Sequence, residues 1–278
     1  MSTDRCKIGV VAPASRMSPD VAASVLELAE RLYPRRTPEI VFHPQCFASH
    51  GHFAGDDDAR AEAFLEVAND ASYDAVWFAR GGYGSCRVVE SVMPRMTQAS
   101  REKTYLGYSD AGMLLAALYR AGFTSVAHGP VAQEIRRDGG DKAIARALAW
   151  IIDRAPEALE PTVDGSKKTA AFNITVLSHL LGTPLEPDLD GHVLMLEEVG
   201  EAIYRIDRSL FHITSSANIR RVSGIMLGRC SNITPNEPDF GMNEEEIAQY
   251  WCRRAGIPWL GRADIGHDAK NKVVPFGR

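Results

Sequence analysis

Through its first half the chain alternates short apolar runs with stretches of helical periodicity, and that alternation restricts its fold more than any other feature. Ile8–Ala12 predicts a strand that ends at the turn Pro13-Ala-Ser15. Asp20–Leu32 then places Val21, Val25, Leu28, Ala29 and Leu32 at spacings of three and four, the stripe of an amphipathic helix. Glu39–His43 predicts a second strand, and Asp57–Ala68 a charged helix with Ala61, Phe64, Leu65 and Ala68 on one face. Tyr73–Ala79 predicts a third strand that runs into Arg80-Gly-Gly-Tyr-Gly84. Lys103–Tyr108 predicts a fourth, followed by a helix over Asp110–Tyr119. Such strand–helix alternation favours a parallel sheet covered on both faces, an α/β fold.

The 278 residues amount to roughly two domains at about 150 residues each. Asp153–Lys168 is polar, with two prolines and a glycine, and predicts a linker over 156–168 between domains at 1–155 and 169–278. Beyond it, Phe172–Leu181 predicts a helix, Val193–Glu198 a buried strand and Asp207–Ile213 a helix. Ser223–Leu227 predicts a further strand and Glu244–Ala255 a helix. This second half reads as a smaller α+β unit.

Charge and cysteine usage narrow the function. Thirty-one Lys and Arg against thirty-six Asp and Glu give a formal charge of −5, against a sequence-independent nucleic-acid binder. The five cysteines are scattered, with no C-x-x-C pair, so neither a disulfide framework nor a structural zinc site is expected. The polar Met1–Lys7 leads into an apolar run too short for a signal peptide, and no stretch approaches the roughly 20 apolar residues of a membrane span. The expectation is a soluble, cytoplasmic protein without a metal or cofactor.

Two glycine-bearing turns follow successive predicted strands, at the sheet edge where parallel α/β folds bind ligands. Gly107-Tyr-Ser109-Asp-Ala111 approximates the nucleophile elbow G-x-S-x-G, with a strand before it and a helix after it. Such a turn lifts the hydroxyl above the sheet and sets the amide of Asp110 at a helix start, where it can donate to an oxyanion. Ser109 or Asp110 acting only as a helix cap fits the same pattern. Arg80-Gly-Gly-Tyr-Gly84 lets backbone amides approach a ligand closely, or simply turns the chain.

A serine nucleophile needs a base and an acid that orients it. Of the eight histidines, His128 in Ala127-His-Gly-Pro130 is placed to line the cleft. His267, in Ile265-Gly-His-Asp268, stands in a loop free to point at a partner domain. Val193-Leu-Met-Leu-Glu197-Glu198 ends an apolar strand with two carboxylates on opposite faces, and since both faces are apolar, alternation does not choose between them.

The motifs gain force in combination. Ile8-Gly-Val-Val-Ala-Pro-Ala-Ser15, Phe53-Ala-Gly-Asp56 with Arg60, Arg80-Gly-Gly-Tyr-Gly84, Gly107-Tyr-Ser-Asp110 and His128-Gly-Pro130 occur in order. They are followed by Leu181-Gly-Thr183, Leu196-Glu-Glu198 with Tyr204-Arg-Ile-Asp-Arg208, and Gly266-His267 with Pro275-Phe-Gly277. Over nearly its whole length the chain resembles the serine-type murein LD-carboxypeptidases, a family that includes the microcin C self-immunity peptidases. The resemblance implies an N-terminal sandwich like that of the glutamine amidotransferases, a smaller β-rich C-terminal domain, and an active site between them.

Carried over by motif, the triad is Ser109, Glu197 and His267, with oxyanion donors from the amides of Asp110 and Gly82. Arg80, Tyr83 and Asn173 are the substrate-side candidates, although Ala171-Phe-Asn-Ile174 stands where the family commonly has Gly-Asn-Leu. The family also usually continues beyond the equivalent of Pro275-Phe-Gly277. The implied reaction removes the terminal D-alanine from a cytosolic muropeptide, by a homodimer. Cleavage of an aminoacyl-nucleotide conjugate is the alternative within the family, and a non-catalytic muropeptide-binding protein the alternative outside catalysis.

Overall fold

A computed structural model describes residues 5–277. Its first unit runs β1 (Lys7–Val11), α1 (Pro19–Leu32), β2 (Glu39–Phe42), α2 (Asp57–Asn69), β3 (Ala75–Phe78), α3 (Val89–Val92), β4 (Thr104–Gly107), α4 (Gly112–Arg120), β5 (Val126–His128) and α5 (Gly140–Asp153). The second runs β6 (Thr169–Asn173), α6 (Ile174–Leu180), β7 (Val193–Val199), α7 (Ile203–Ser215), β8 (Gly224–Ser231), α8 (Glu244–Ala255), β9 (Trp259–Arg262) and β10 (Val274–Pro275).

The first sheet has the order β10-β5-β4-β3-β1-β2, and β1 to β5 pair in parallel. Parallel strands need covering on both faces, and the side chains comply. Ile8, Val10, Ala75 and Trp77 pack toward α1 and α5, whereas Val11, Val76 and Phe78 pack with Phe64 and Leu65 of α2 on the other side. The second sheet, β6-β7-β8-β9, is wholly parallel, with α6, α7 and α8 in the crossovers.

The two units are not separate bodies. The core containing Phe64, Phe78 and Leu114 continues without a break into Leu177, Leu194, Leu196 and Ile206. The last strand, β10, leaves the second unit and pairs antiparallel with β5 on the edge of the first sheet. The polar segment 156–168 is itself tied down: Leu159 bridges to Val273, and the buried Glu160 accepts the amides of Thr162 and Asp264.

Two helices of the second unit depart from the sequence expectation. The helix expected from Phe172 starts only at Ile174, and Phe172 and Asn173 belong to β6. Thr169–Asn173 is buried at every residue, so no alternation marks it as a strand. Asn173 ends the strand and caps the helix, its side chain accepting the Val176 amide at 3.1 Å. The helix expected at Asp207–Ile213 is the middle of the longer α7.

Candidate active site

β4 is buried along its length and delivers the chain to Tyr108 and Ser109 at the carboxyl edge of the sheet. Ser109 has φ of 61°, the left-handed region that a non-glycine residue enters at a cost of about 1–3 kcal/mol. A 3-10 turn over Ser109–Ala111 then leads directly into α4, so the Asp110 amide lies at a helix start. The Arg80–Gly84 turn, after β3, presses against this elbow. A Cβ on Gly81 would lie 2.9 Å from Ser109 Oγ, so only glycine permits the approach.

The second unit supplies the other two groups. His267 Nε2 lies 3.0 Å from Ser109 Oγ, and His267 Nδ1 lies 2.5 Å from Glu197 Oε2. A carboxylate only accepts, so Nδ1 carries the proton and Nε2 is left to accept from the serine hydroxyl. Glu197 is fully buried and the His267 side chain is 8% exposed. Burial pushes the His267 imidazole down, but the Glu197 charge and hydrogen bond outweigh it, and the net shift is upward. A second carboxylate, Glu134, adds to that pull; it accepts the Tyr108 hydroxyl at 2.5 Å, and the Tyr108 ring lies 4.7 Å from the His267 ring.

Neighbouring Glu198 does different work. It accepts from Asn173 Nδ2 at 2.6 Å, from the Thr175 amide and hydroxyl at 2.9 and 2.7 Å, and from the Val199 amide at 2.8 Å. Burial pushes its carboxyl up, against these bonds. The β7–β8 register shifts between Leu196 and Glu198, a bulge at the place where the two glutamates part.

Ser109 opens onto a cavity of about 630 Å³, bordered by Gly82, Tyr83 and Asn173 and floored by apolar residues such as Met113, Val176 and Leu180. Among the described residues that border it none is Lys or Arg. Arg80 is exposed and its guanidinium donates to the Arg16 carbonyl at 2.9 Å, away from this cavity. His128 is buried behind the site, bonded to Asn271 Oδ1 at 3.2 Å, and burial pushes it down to about 4. It therefore stays neutral and does not line the cavity. Glu134, Asn271 and the carboxylate of Asp110 were not singled out by sequence; each acts through contacts that only the tertiary fold creates.

Models of the LD-carboxypeptidase N-terminal and C-terminal domains match residues 8–129 and 168–278. The chain belongs to the LD-carboxypeptidase family. By that membership it is a serine-type carboxypeptidase. A putative carboxypeptidase from Synechocystis is 31% identical over 243 residues, covering 86% of this chain and 79% of the relative. The murein tetrapeptide carboxypeptidase of Pseudomonas aeruginosa is 26% identical over 294 residues, covering 98% of this chain and 91% of the relative. Among solved structures, the muramoyltetrapeptide carboxypeptidase from Oxalobacter formigenes superposes with a TM-score of 0.79 at 22% identity, over 97% of this chain and 93% of that one. The microcin C7 self-immunity protein has the same fold, with a TM-score of 0.78 at 16% identity over 98% of this chain and 91% of that one.

Proposed function

We propose that this LD-carboxypeptidase hydrolyses the bond before the terminal D-alanine of murein tetrapeptides through an acyl-enzyme on Ser109. The observation that carries the reading is the continuous relay from Glu197 to His267 to Ser109, at 2.5 and 3.0 Å, opening onto the 630 Å³ cavity. His267 Nε2 takes the hydroxyl proton as Ser109 Oγ attacks the scissile carbonyl, and Glu197 stabilises the imidazolium that forms. The amides of Asp110 and Gly82 receive the oxyanion. Collapse expels D-alanine with the proton from His267. Water then gives a proton to His267 as it attacks the acyl carbon, and collapse returns that proton from His267 to Ser109 Oγ and releases the shortened peptide.

This reading divides the labour at 156–168, with the nucleophile before that segment and the acid and base after it. It also places the enzyme in the cytosol as a homodimer acting on recycled wall peptides. No helix of the described residues is long and apolar enough to cross a membrane, and Phe211 and Tyr250 stand exposed beside Trp251 as an apolar face.

Incubation of the purified protein with a murein tetrapeptide, read by mass, should release D-alanine. Absence of release together with cleavage of an aminoacyl sulfamoyl nucleoside would move the chain to the alternative activity. No turnover of either would favour the muropeptide-binding reading.

A further inference from the structure

We propose that Arg60 is the positioning residue of the oxyanion hole: with the Asp110 carboxylate, it fixes the Gly84–Ser85 peptide and through it the turn that carries the Gly82 amide. The inference rests on the serine mechanism above and adds to it a residue that never touches the substrate.

Arg60 lies on α2, a charged side chain with no exposed surface at all. Long cations are almost never buried so completely without a specific partner. Its Nη1 donates to the carbonyl of Gly84 at 2.8 Å and also to the carbonyl of Pro13, in the loop after β1. Nη2 donates to Asp57, and the guanidinium lies 4.5 Å over the Phe53 ring. Thus one planar group ties together two loops from the carboxyl edge of the first sheet. Lysine, whose three donors radiate from one nitrogen, cannot span the same set.

Asp110 holds the opposite side of the same turn. Its Oδ1 accepts the Gly84 amide at 3.2 Å and its Oδ2 accepts the Ser85 amide at 2.8 Å. The Ser85 hydroxyl donates back to the Asp110 carbonyl at 2.5 Å. The Gly84–Ser85 peptide is therefore gripped at both ends, its C=O by a guanidinium and its N–H by a carboxylate. Charge-assisted bonds of this kind are about twice as strong as neutral ones. The fit leaves no slack: a Cβ on Gly84, whose φ is +134°, would lie 2.8 Å from Arg60 Nη1 and from the Phe53 ring. Because Asp110 is also the residue whose amide is assigned to the hole, the grip references both oxyanion donors to one side chain.

The purely structural alternative is that Arg60 only stabilises the fold. The two separate by kinetics and by local exchange. Arg60→Met and Arg60→Lys are compared with wild type for kcat and KM on the tetrapeptide, and for the rate at which a fluorophosphonate modifies Ser109. Hydrogen exchange is followed in the same proteins over residues 80–86 and in the strands of both sheets. A displaced oxyanion donor should cost on the order of 10²–10³ in kcat, with KM within about threefold. Arg60→Lys should not rescue, and exchange in 80–86 should rise at least about tenfold while the strands stay protected.

Turnover within about threefold of wild type in a folded Arg60→Met enzyme overturns the proposal, as does unchanged exchange in 80–86. If Arg60→Met does not fold, Asp110→Asn removes the other half of the grip and carries the same expectation. A wild-type enzyme that labels at Ser109 but spares the tetrapeptide defeats the substrate assignment alone, and the labelling rates then decide the role of Arg60. A wild type that does not label defeats the serine mechanism, and the positioning claim falls with it.

Discussion

Ser109 and His267 approach within 3.0 Å, but the chain fixes them by different physical means. Ser109 is held by backbone: a buried strand ends beneath it, a helix starts above it, and a glycine turn packs on it. His267 sits on an irregular loop between β9 and β10 and is held by side chains. Arg229 of β8 pairs with Asp264 at 2.6 Å and with Asp268, straddling the histidine. Arg146 of α5 donates to the carbonyls of Ala269 and Asn271 at 3.0 and 2.8 Å, and Asn271 Oδ1 accepts the Gly266 amide at 3.1 Å. The lesson is that the position of Ser109 itself is set by its local backbone, whereas His267, on a cross-linked loop, can be displaced from several directions.

The sharpest way to probe the backbone side is to delete the hydroxyl alone. Ser109→Ala should abolish tetrapeptide hydrolysis, a loss on the order of 10⁶ in turnover by comparison with other serine peptidases, with circular dichroism and Tm unchanged. A fall of less than tenfold would instead leave Ser109 as a helix cap. On the other side, Glu197→Gln should cost about 10³–10⁴ in kcat, because an amide can hold the imidazole in the wrong tautomer and cannot stabilise imidazolium. Glu198→Gln, measured on the same substrate, should cost far less, since its bonds reach Asn173 and Thr175 and not His267. A dead Glu198→Gln beside an active Glu197→Gln would reverse the assignment.

Arg229→Met tests the loop itself. Losing both ion pairs frees the segment that carries His267, and a shift of about 1 Å in a catalytic group costs up to 10²-fold. The expected result is a 10–10²-fold fall in kcat that appears equally in single-turnover assays, so that the chemical step and not product release is slowed. An equal fall on disturbing a surface pair such as Arg95–Glu62 would erase the contrast between loop and elbow.

The smallest effect is a displacement of the pH profile. Burial lowers and Glu197 more than restores the His267 value, so the acid limb of kcat/KM should lie above the ordinary histidine range near 6.5. Glu197→Gln should move the residual limb to lower pH. The sign for stability is opposite. A folded value raised above the unfolded one favours the protonated state, so this contribution is complete below about pH 6.5 and is lost as pH rises through the folded value. Turnover therefore rises over the same interval in which the stabilisation from this pair declines, which thermal unfolding against pH in wild type and Glu197→Gln will reveal.

What the sequence disclosed follows the same division. The elbow was legible because strand, small residues and helix are contiguous from Thr104 to Arg120. The Glu197–His267 contact joins residues 70 apart, and no local pattern encodes it. Periodicity left the two glutamates equivalent because both faces of β7 are buried; the choice came from motif resemblance, and the geometry turns on which face meets the His267 loop. The sequence extends the helix back over Phe172 and Asn173, the end of β6, because a fully buried strand offers no alternation. Arg80 was placed by its position beside the glycine turn, but the direction of its side chain is set by the Arg16 carbonyl, a contact 64 residues away in sequence.

The pairing of β10 with β5 has a consequence for biosynthesis. His267 lies 158 residues after Ser109, and β10 follows it. At about 5–20 residues per second, the ribosome completes the elbow roughly 8–30 s before it has made the histidine. During that interval the growing polypeptide holds Ser109 without His267, and β10 does not yet exist to pair with β5. Translation order thus keeps Ser109 apart from His267 until the last strand of the first sheet is about to be made.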